Sequence, residues 1–498
     1  MSRSSAAAGK VSPSIDVCGP DGRSPDSSYD RNDAVRPRSS LLAPPQMNAL
    51  LVAPPVRQES RSGPSVSVAT MGCKVNAFES ALIGEKIAGL GFAVSPGATP
   101  ADIRIVNTCT VTSEADRQAR QMVRRIIREN PSAWVVVTGC YAQTDPEACA
   151  RIPGVDLVVG NARKLDIPVL LGPLMRGGLP PVMVDDFDPD IGLPDRLISG
   201  LEGRTRAFVQ VQQGCDRGCT FCIIHTARGP NRSFSAAMVR RQVERLVLNG
   251  YREVVLCGVD IGSYGEDQPG SFGLEDLLEH VLDLPRGFRL RLSSIDPAHV
   301  TDRLISLMAA NRDRICPHLH LSLQSGSSLI LKRMKRRATR EILLDRIGAL
   351  RTALPDLVLS ADILVGFPTE TEAHFAETLD LVERLDIAFP HVFAYSKRSG
   401  TPAARIPRQV DGAEKKERAS RMRAAGIRVR DRVGAGLEGR TLPVLVEGSA
   451  AGGDDAVTGR ADNYFGVRLP PSHARSEDWQ EVEIAGFEDG MLVARDAG

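Results

Sequence analysis

The sequence predicts an α/β protein in three parts: an N-terminal doubly wound α/β domain, a central partial (β/α)6 barrel and a small C-terminal OB-like β-barrel. Three observations carry this. Short β-branched runs alternate with amphipathic helical stretches from Ser65 to about residue 170. Six further apolar runs, separated by five helical segments, follow from Arg206. After Arg408 the alternation stops, and five short strand candidates crowd into about the last 60 residues, a spacing suited to a small barrel. A chain of 498 residues is too long for one core, and its 42% hydrophobic and 25% charged residues are those of a globular protein. No window approaches the ~18 uncharged apolar residues of a membrane helix.

In chain order, residues 1–63 are rich in Ser, Pro, Arg and Asp without apolar periodicity, and are expected to be a disordered extension. Met47 lies within it as an alternative start. Asp16, Asp21, Asp26, Asp30 and Asp33 break the acid-poor pattern of a transit peptide, and no secretory signal is expected. An N-terminal α/β domain is expected over 64–175. Its strands are "VSVAT", "IRIVNT", "WVVVTG" and "VDLVVG"; its helices cover about 78–90 and 113–128, with a short one near Asp145. The barrel is expected over 200–410, with strands "AFVQVQ", "EVVLCG", "FRLRLSS", "HLHLSLQS", "LSADILVGF" and "HVFAYS". Its helices are near 236–248, 274–282, 302–310, 340–354 and 371–385. A basic linker helix over 411–436 follows; its residues 415–432 hold eight Lys and Arg against Glu417 and Asp431. Such a run is usually a solvated face. The last domain is expected over 437–498, from "TLPVLVE", "AVTGRA", "YFGVRL", "QEVEIAG" and "MLVARD".

Ten cysteines in a large chain point to metal or catalysis more than to disulfides. Cys215, Cys219 and Cys222 form C-x3-C-x2-C directly after the first barrel strand, where barrel enzymes keep their chemistry. Three thiolates on one loop can hold three irons of a 4Fe–4S cube and leave the fourth open. The competing reading is a zinc site in which His225 is the fourth ligand, which would make the chain a non-catalytic zinc and RNA-binding protein. Cys73, Cys109 and Cys140 each follow the carboxyl end of a predicted strand, the edge at which open parallel sheets bind ligands. Taken singly, each could also be a small packed residue. Cys149, Cys257 and Cys316 read as packing. Gly258, Ser293, Ser294, Gln324 and Gly366 stand at barrel strand ends, where small or polar residues let a cofactor approach the backbone. A second basic cluster, "LKRMKRR" (331–337), is expected on a loop after the fourth barrel strand. No catalytic side chain is assigned.

The C-x3-C-x2-C loop with Phe221 inside it resembles that of the radical S-adenosylmethionine (SAM) enzymes. From about Ser65 onward the chain resembles the methylthiotransferases of that group, on "NTCTVTSEADRQAR", "VTGCYAQ", "VDIGSYG", "LRLSSIDP", "HLHLSLQSGS", "DILVGFPTET" and "FAYSKRSGTPA". The resemblance implies two 4Fe–4S clusters, one on Cys215, Cys219 and Cys222 that cleaves SAM reductively and one on Cys73, Cys109 and Cys140 that carries sulfur. It places SAM against Gly258, Ser293, Ser294, Gln324 and Gly366. It makes the last domain a TRAM domain that holds tRNA by the anticodon loop, and implies an electron donor such as flavodoxin or ferredoxin, with no DNA or membrane partner and a cytoplasmic location. "GCKVN" (72–76) resembles the MtaB branch, which acts on N6-threonylcarbamoyladenosine at position 37; the alternative is the MiaB branch, which acts on isopentenyladenosine. The chain departs from the family after "FCII", where His225 and Thr226 replace an expected Pro-Tyr. Lys397 and Arg398 are candidates for pairing with the carboxylate of the N6 substituent.

Overall fold

The computed structural model describes residues 63–97, 99–188, 193, 195–449, 457–471 and 478–496. The expected N-terminal extension, Met47 and the five early aspartates lie outside the described residues, Gly63 excepted.

The first sheet is parallel throughout. Its strands are β1 (Ser65–Thr70), β2 (Ala93–Pro96), β3 (Ile103–Thr108), β4 (Trp134–Gly139), β5 (Leu157–Val159) and β6 (Val182–Met183), in the order β2-β1-β3-β4-β5-β6. Order reverses between β1 and β3, so a crevice opens there at the carboxyl edge. Helices α1 (Lys74–Gly89), α2 (Ser113–Glu129), α3 (Cys140–Thr144), α4 (Pro146–Ala150) and α5 (Ile167–Met175) complete the layers. Arginine-rich α2 buries only Ala119, Val123 and Ile126, and starts where the Thr112 hydroxyl accepts from the Ala115 amide at 3.1 Å. Strands β2 and β6 were not expected, and β6 lies beyond residue 175. Both are short edge strands with weak apolar runs, so sequence periodicity carried little trace of them.

The central barrel begins with β7 (Arg206–Gln210). A two-residue pair, β8 (Gln212–Gln213) and β9 (Arg232–Ser233), then brackets the cysteine loop and α6 (Ile224–Arg228). There follow α7 (Ala236–Leu248), β10 (Glu253–Cys257), α8 (Leu274–Leu282), β11 (Arg289–Leu292), β12 (Ser294–Ile295), α9 (Asp302–Ala310), β13 (His318–Gln324), α10 (Ser328–Arg333), α11 (Arg340–Ala353), β14 (Val358–Val365), α12 (Glu372–Arg384) and β15 (Ile387–Ala394). All six expected strands are present, but the third breaks at Ser293. The wall is therefore two parallel sheets, β11-β10-β7 and β12-β13-β14-β15. The last strand starts at Ile387, four residues before the apolar run used to find it. The cluster 331–337 is not simply a loop, because its first three residues close α10 and the rest form the turn that follows.

Helix α13 (Gly412–Ala435) leads to a closed barrel of β16 (Thr441–Ser449), β17 (Val457–Ala461), β18 (Gly466–Leu469), β19 (Trp479–Glu488) and β20 (Met491–Ala494), ordered β16-β17-β18-β20-β19. This small barrel closes the amino-terminal end of the central one. Tyr464 stacks on His318 at 4.3 Å between ring centres, and Phe465 meets Phe389 at 5.0 Å. Buried Arg291 bridges Glu253 (2.7 and 2.9 Å) and the Asp462 carbonyl (2.8 Å).

Candidate active site

Cys73 caps the start of α1, Cys109 follows β3 directly, and Cys140 is the first residue of α3 after β4. β3 is bonded to both β1 and β4, with Thr70 beside Asn107 and Thr108 beside Gly139. The three expected strand ends thus meet at the switch-point crevice. Gly72 holds φ +89°, and a Cβ there would stand 2.8 Å from the Cys109 sulfur. Only glycine leaves that thiol room. Asn76 ties the loops together by donating to the Met71 carbonyl at 2.7 Å and the Thr108 carbonyl at 3.0 Å. Cys109 and Cys140 are buried and Cys73 is exposed. Burial, then the neighbouring Cys140, pushes the Cys109 thiol up to about 11.

Beneath this trio lies a buried group of charges invisible to motif reading. Arg228, on α6 beside the other cysteine loop, donates to Glu79 at 3.0 and 3.2 Å and to the Asn76 side chain at 2.5 Å. Lys164 donates to Glu79 at 2.7 Å, and Arg196 lies 3.9 Å from it. Burial would raise the Glu79 carboxyl, but Arg228, Lys164 and Arg196 hold it well below the usual range. Burial would lower Arg228, but Cys140, Glu79 and Cys73 hold its charge well above. Asn161 completes the join, donating to the Cys140 sulfur at 3.5 Å and to the Ala227 carbonyl at 2.7 Å. One carboxylate faces three cations here, so the site carries excess positive charge that anionic thiolates would balance.

Cys215, Cys219 and Cys222 lie between β8 and α6. The loop is closed by the Cys215 amide donating to Gly229 at 3.1 Å and by Gly214 at φ +73°, where a Cβ would meet the Pro230 carbonyl oxygen at 1.7 Å. Burial pushes the thiols of Cys215 and Cys222 up to about 11 and 12. Arg336, from the second basic cluster, donates to the Cys219 sulfur at 3.6 Å and pairs with Asp296 at 2.9 Å. A cleft of about 780 Å³ beside Cys219 is lined by Arg217, Lys332, Lys335 and Arg337 as well. His225 is exposed and its ring lies within hydrogen-bond distance of the Thr226 hydroxyl at 3.3 Å.

The five expected cofactor residues stand at the ends of barrel strands: Gly258 follows β10, Ser293 and Ser294 follow β11, Gln324 ends β13 and Gly366 follows β14. Ser293 sits at the break between β11 and β12, its buried hydroxyl without a hydrogen-bond partner among the described residues. Ser294 bonds the Ser322 hydroxyl at 2.7 Å; Gln324 ends β13 at φ +74°. Gly258 abuts Gln212, whose Oε1 would lie 2.8 Å from a Cβ. Gly366 is likewise abutted, by Lys415 of α13, with Cγ 2.2 Å from where a Cβ would stand. Arg398 departs from expectation: it is spent on Asp116 and Thr110 of the first domain, while Lys397 is exposed. Cys149, Cys257 and Cys316 are buried, as their packing role requires.

Two features went unforeseen. The alternation of β13 turns His318, His320, Ser322 and Gln324 to the lumen, and there His320 Nε2 and His391 Nδ1 lie 3.2 and 3.6 Å from Asp362 Oδ1. Burial would raise Asp362, but the two histidines hold it well below the usual range. Lys74, the first residue of α1, is half-buried beside Cys73, and its charge acts on Cys257 and His318 in the barrel.

Comparison with known proteins agrees with this geometry. The Radical SAM superfamily model matches residues 209–382, and that of Uncharacterized protein family UPF0004 matches 65–160. The chain is 38% identical over 426 residues to a threonylcarbamoyladenosine tRNA methylthiotransferase MtaB of Rickettsia prowazekii, covering 85% of this chain and 96% of that one. It is 38% identical to the Bacillus subtilis protein of the same name, over 81% and 90%. It is 33% identical to a tRNA-2-methylthio-N(6)-dimethylallyladenosine synthase of Acetivibrio thermocellus, over 78% and 82%. Among solved structures, the radical SAM methyltransferase TsrM of Kitasatospora setae shares the fold at TM-score 0.53 and 17% identity, over 68% of this chain and 76% of that one. With two cysteine trios joined through Arg228 and relatives matched almost end to end, the chain belongs to the MtaB-type methylthiotransferases of the radical SAM superfamily.

Proposed function

We propose that the protein converts N6-threonylcarbamoyladenosine at position 37 of tRNA to its 2-methylthio derivative. The observation that carries this is the match to MtaB relatives over four fifths or more of the chain, together with the joined cysteine trios. The cofactors are SAM and two 4Fe–4S clusters. The residues fit them: each trio offers soft thiolate donors, Gly72 clears space at Cys109, and the buried cations around Glu79 suit an anionic group. Cys215, Cys219 and Cys222 would hold the cluster that supplies the electron for reductive SAM cleavage, and Cys73, Cys109 and Cys140 the one that supplies sulfur. The chain's own part is to orient and enclose. Ser293, Ser294 and Gln324 would present polar atoms to SAM at the rim, with Gly258 and Gly366 at neighbouring strand ends. Residues 64–175, with β6, form the sulfur-delivering unit, 200–410 the radical-forming barrel, 411–436 the linker helix and 437–498 the tRNA-holding TRAM domain. A small redox protein such as flavodoxin or ferredoxin would donate the electron in a cytoplasmic setting. Among the described residues, no helix is long and apolar enough to cross a membrane.

Deleting the gene tests this. Mass spectrometry of tRNA nucleosides should show the methylthiolated threonylcarbamoyl nucleoside lost and its unthiolated precursor accumulated. Loss of the methylthiolated isopentenyl nucleoside instead would move the protein to the MiaB branch.

A further inference from the structure

The polar chamber inside the barrel has a sealed floor and a charged edge. His318 is closed off by Tyr464 and by its bond to Ser360. Above it His320 and His391 both face the Asp362 carboxylate, at 3.2 and 3.6 Å. Lys74 differs from the other cations of the region. Arg228, Lys164 and Arg196 share Glu79; Arg291 holds Glu253; Arg398 holds Asp116. Lys74 makes no ion pair or hydrogen bond among the described residues, although it is half-buried. Val75 and Phe78 of the same helix are packed into the barrel's own core, which holds the start of α1 against the barrel.

Adenine chemistry brings a ligand to that spot. C2 and C6 are separated by a single ring nitrogen, so a substituent on N6 hangs beside the carbon that receives sulfur. Whatever reads the substituent must therefore stand next to the sulfur-delivering cysteines. Lys74 directly follows Cys73.

We propose that Lys74 is the residue that recognises the threonylcarbamoyl group, pairing its ammonium with the substituent's carboxylate at the mouth of the His320–Asp362–His391 chamber. This rests on the substrate proposed above. The pairing gives a half-buried, otherwise unmatched cation its counter-charge and makes a neutral or apolar N6 group a poor fit, because the cation would then be desolvated without a partner.

The test is a cycle in which protein and substrate are changed separately. Anticodon stem-loop RNAs carry either the threonylcarbamoyl acid or its carboxamide, and binding to cluster-loaded protein is read by fluorescence anisotropy. The wild type should prefer the acid by about 10–100-fold, as expected for one charge-assisted pair. Lys74→Gln should bind both RNAs alike, with iron content and SAM cleavage kept, and Lys74→Arg should restore much of the preference. Should the Gln variant lose iron, Lys74→Ala takes its place in the same cycle. A wild type without acid preference, or a Gln or Ala variant that keeps it, overturns the inference while leaving the activity in place. A wild type that does not methylthiolate the acid RNA at all overturns the functional reading instead.

Discussion

At the scale of residues, the two trios differ in what surrounds them. Cys222 belongs to a loop closed on itself by backbone bonds, whereas Cys109 sits in a sheet crevice above Glu79, to which three separate segments bring cations. Cys222→Ala should abolish SAM cleavage, since two thiolates remain where three are needed. Cys109→Ala should still produce 5'-deoxyadenosine but no methylthiolated RNA. Chromatographic assay of both products in the two variants decides it; equal loss of SAM cleavage in both, with folding intact, would remove the division of roles. The six cysteines were legible because soft ligands at fixed offsets, or at repeated strand ends, are rare by chance. Glu79, Lys164, Arg196 and Arg228 were not. Scattered along the chain, each looks like an ordinary surface charge until the fold buries all four together.

Among the elements, the basic run of α13 reads in the sequence as a solvated face, and much of it is paired: Arg421 with Glu372 at 2.7 Å, Arg428 with Glu383 at 2.6 Å and Arg430 with Asp431 at 2.7 Å. Arg423 makes no ion pair among the described residues; with Lys397, Lys415 and Lys416 it lines a cleft of about 490 Å³. Changing Arg421, Arg423, Arg428 and Arg430 together to Gln should therefore reduce the salt slope of tRNA binding by about one contact, ~0.9 in log–log units, and not by four. Filter binding across a salt series measures it, and a drop near four contacts would mean that tRNA displaces the acidic partners. Helices at 236–248, 274–282 and 302–310 were read to the residue, because their caps and apolar faces coincide. The break at Ser293 was not, although the alternation of Leu290 and Leu292 loses its phase at Ser293 and Ser294 before Ile295.

For the molecule as a whole, the C-terminal barrel is joined to the central one through its floor, where His318 is buried. Burial first, then the charge of Arg291, holds this imidazole well below its ordinary value of 6.5. In the unfolded chain it takes a proton as pH falls past that value, while the folded chain does not. Stability should thus be level above about pH 7 and decline progressively below 6.5. His318→Gln should flatten this acid limb, as read from denaturant midpoints between pH 5 and 8. An unchanged slope would place the acid sensitivity elsewhere. The three-part order was visible in the sequence because strand and helix alternate plainly; which end of the barrel the last part covers was not, because it depends on packing between residues more than 100 positions apart, such as His318 and Tyr464.

The bond from Arg228 to Glu79 spans 149 residues of chain, which gives it a meaning in time. At about 5–20 residues per second, a ribosome that has made Glu79 needs about 7–30 s more to make its partner. Until then Cys73, Cys109 and Cys140 can be translated and their sheet paired, yet the charges beneath them remain incomplete. The crevice is therefore finished last, by the same loop that carries the other trio, and a nascent chain has no completed place for the sulfur-bearing cluster before the radical-forming loop has emerged.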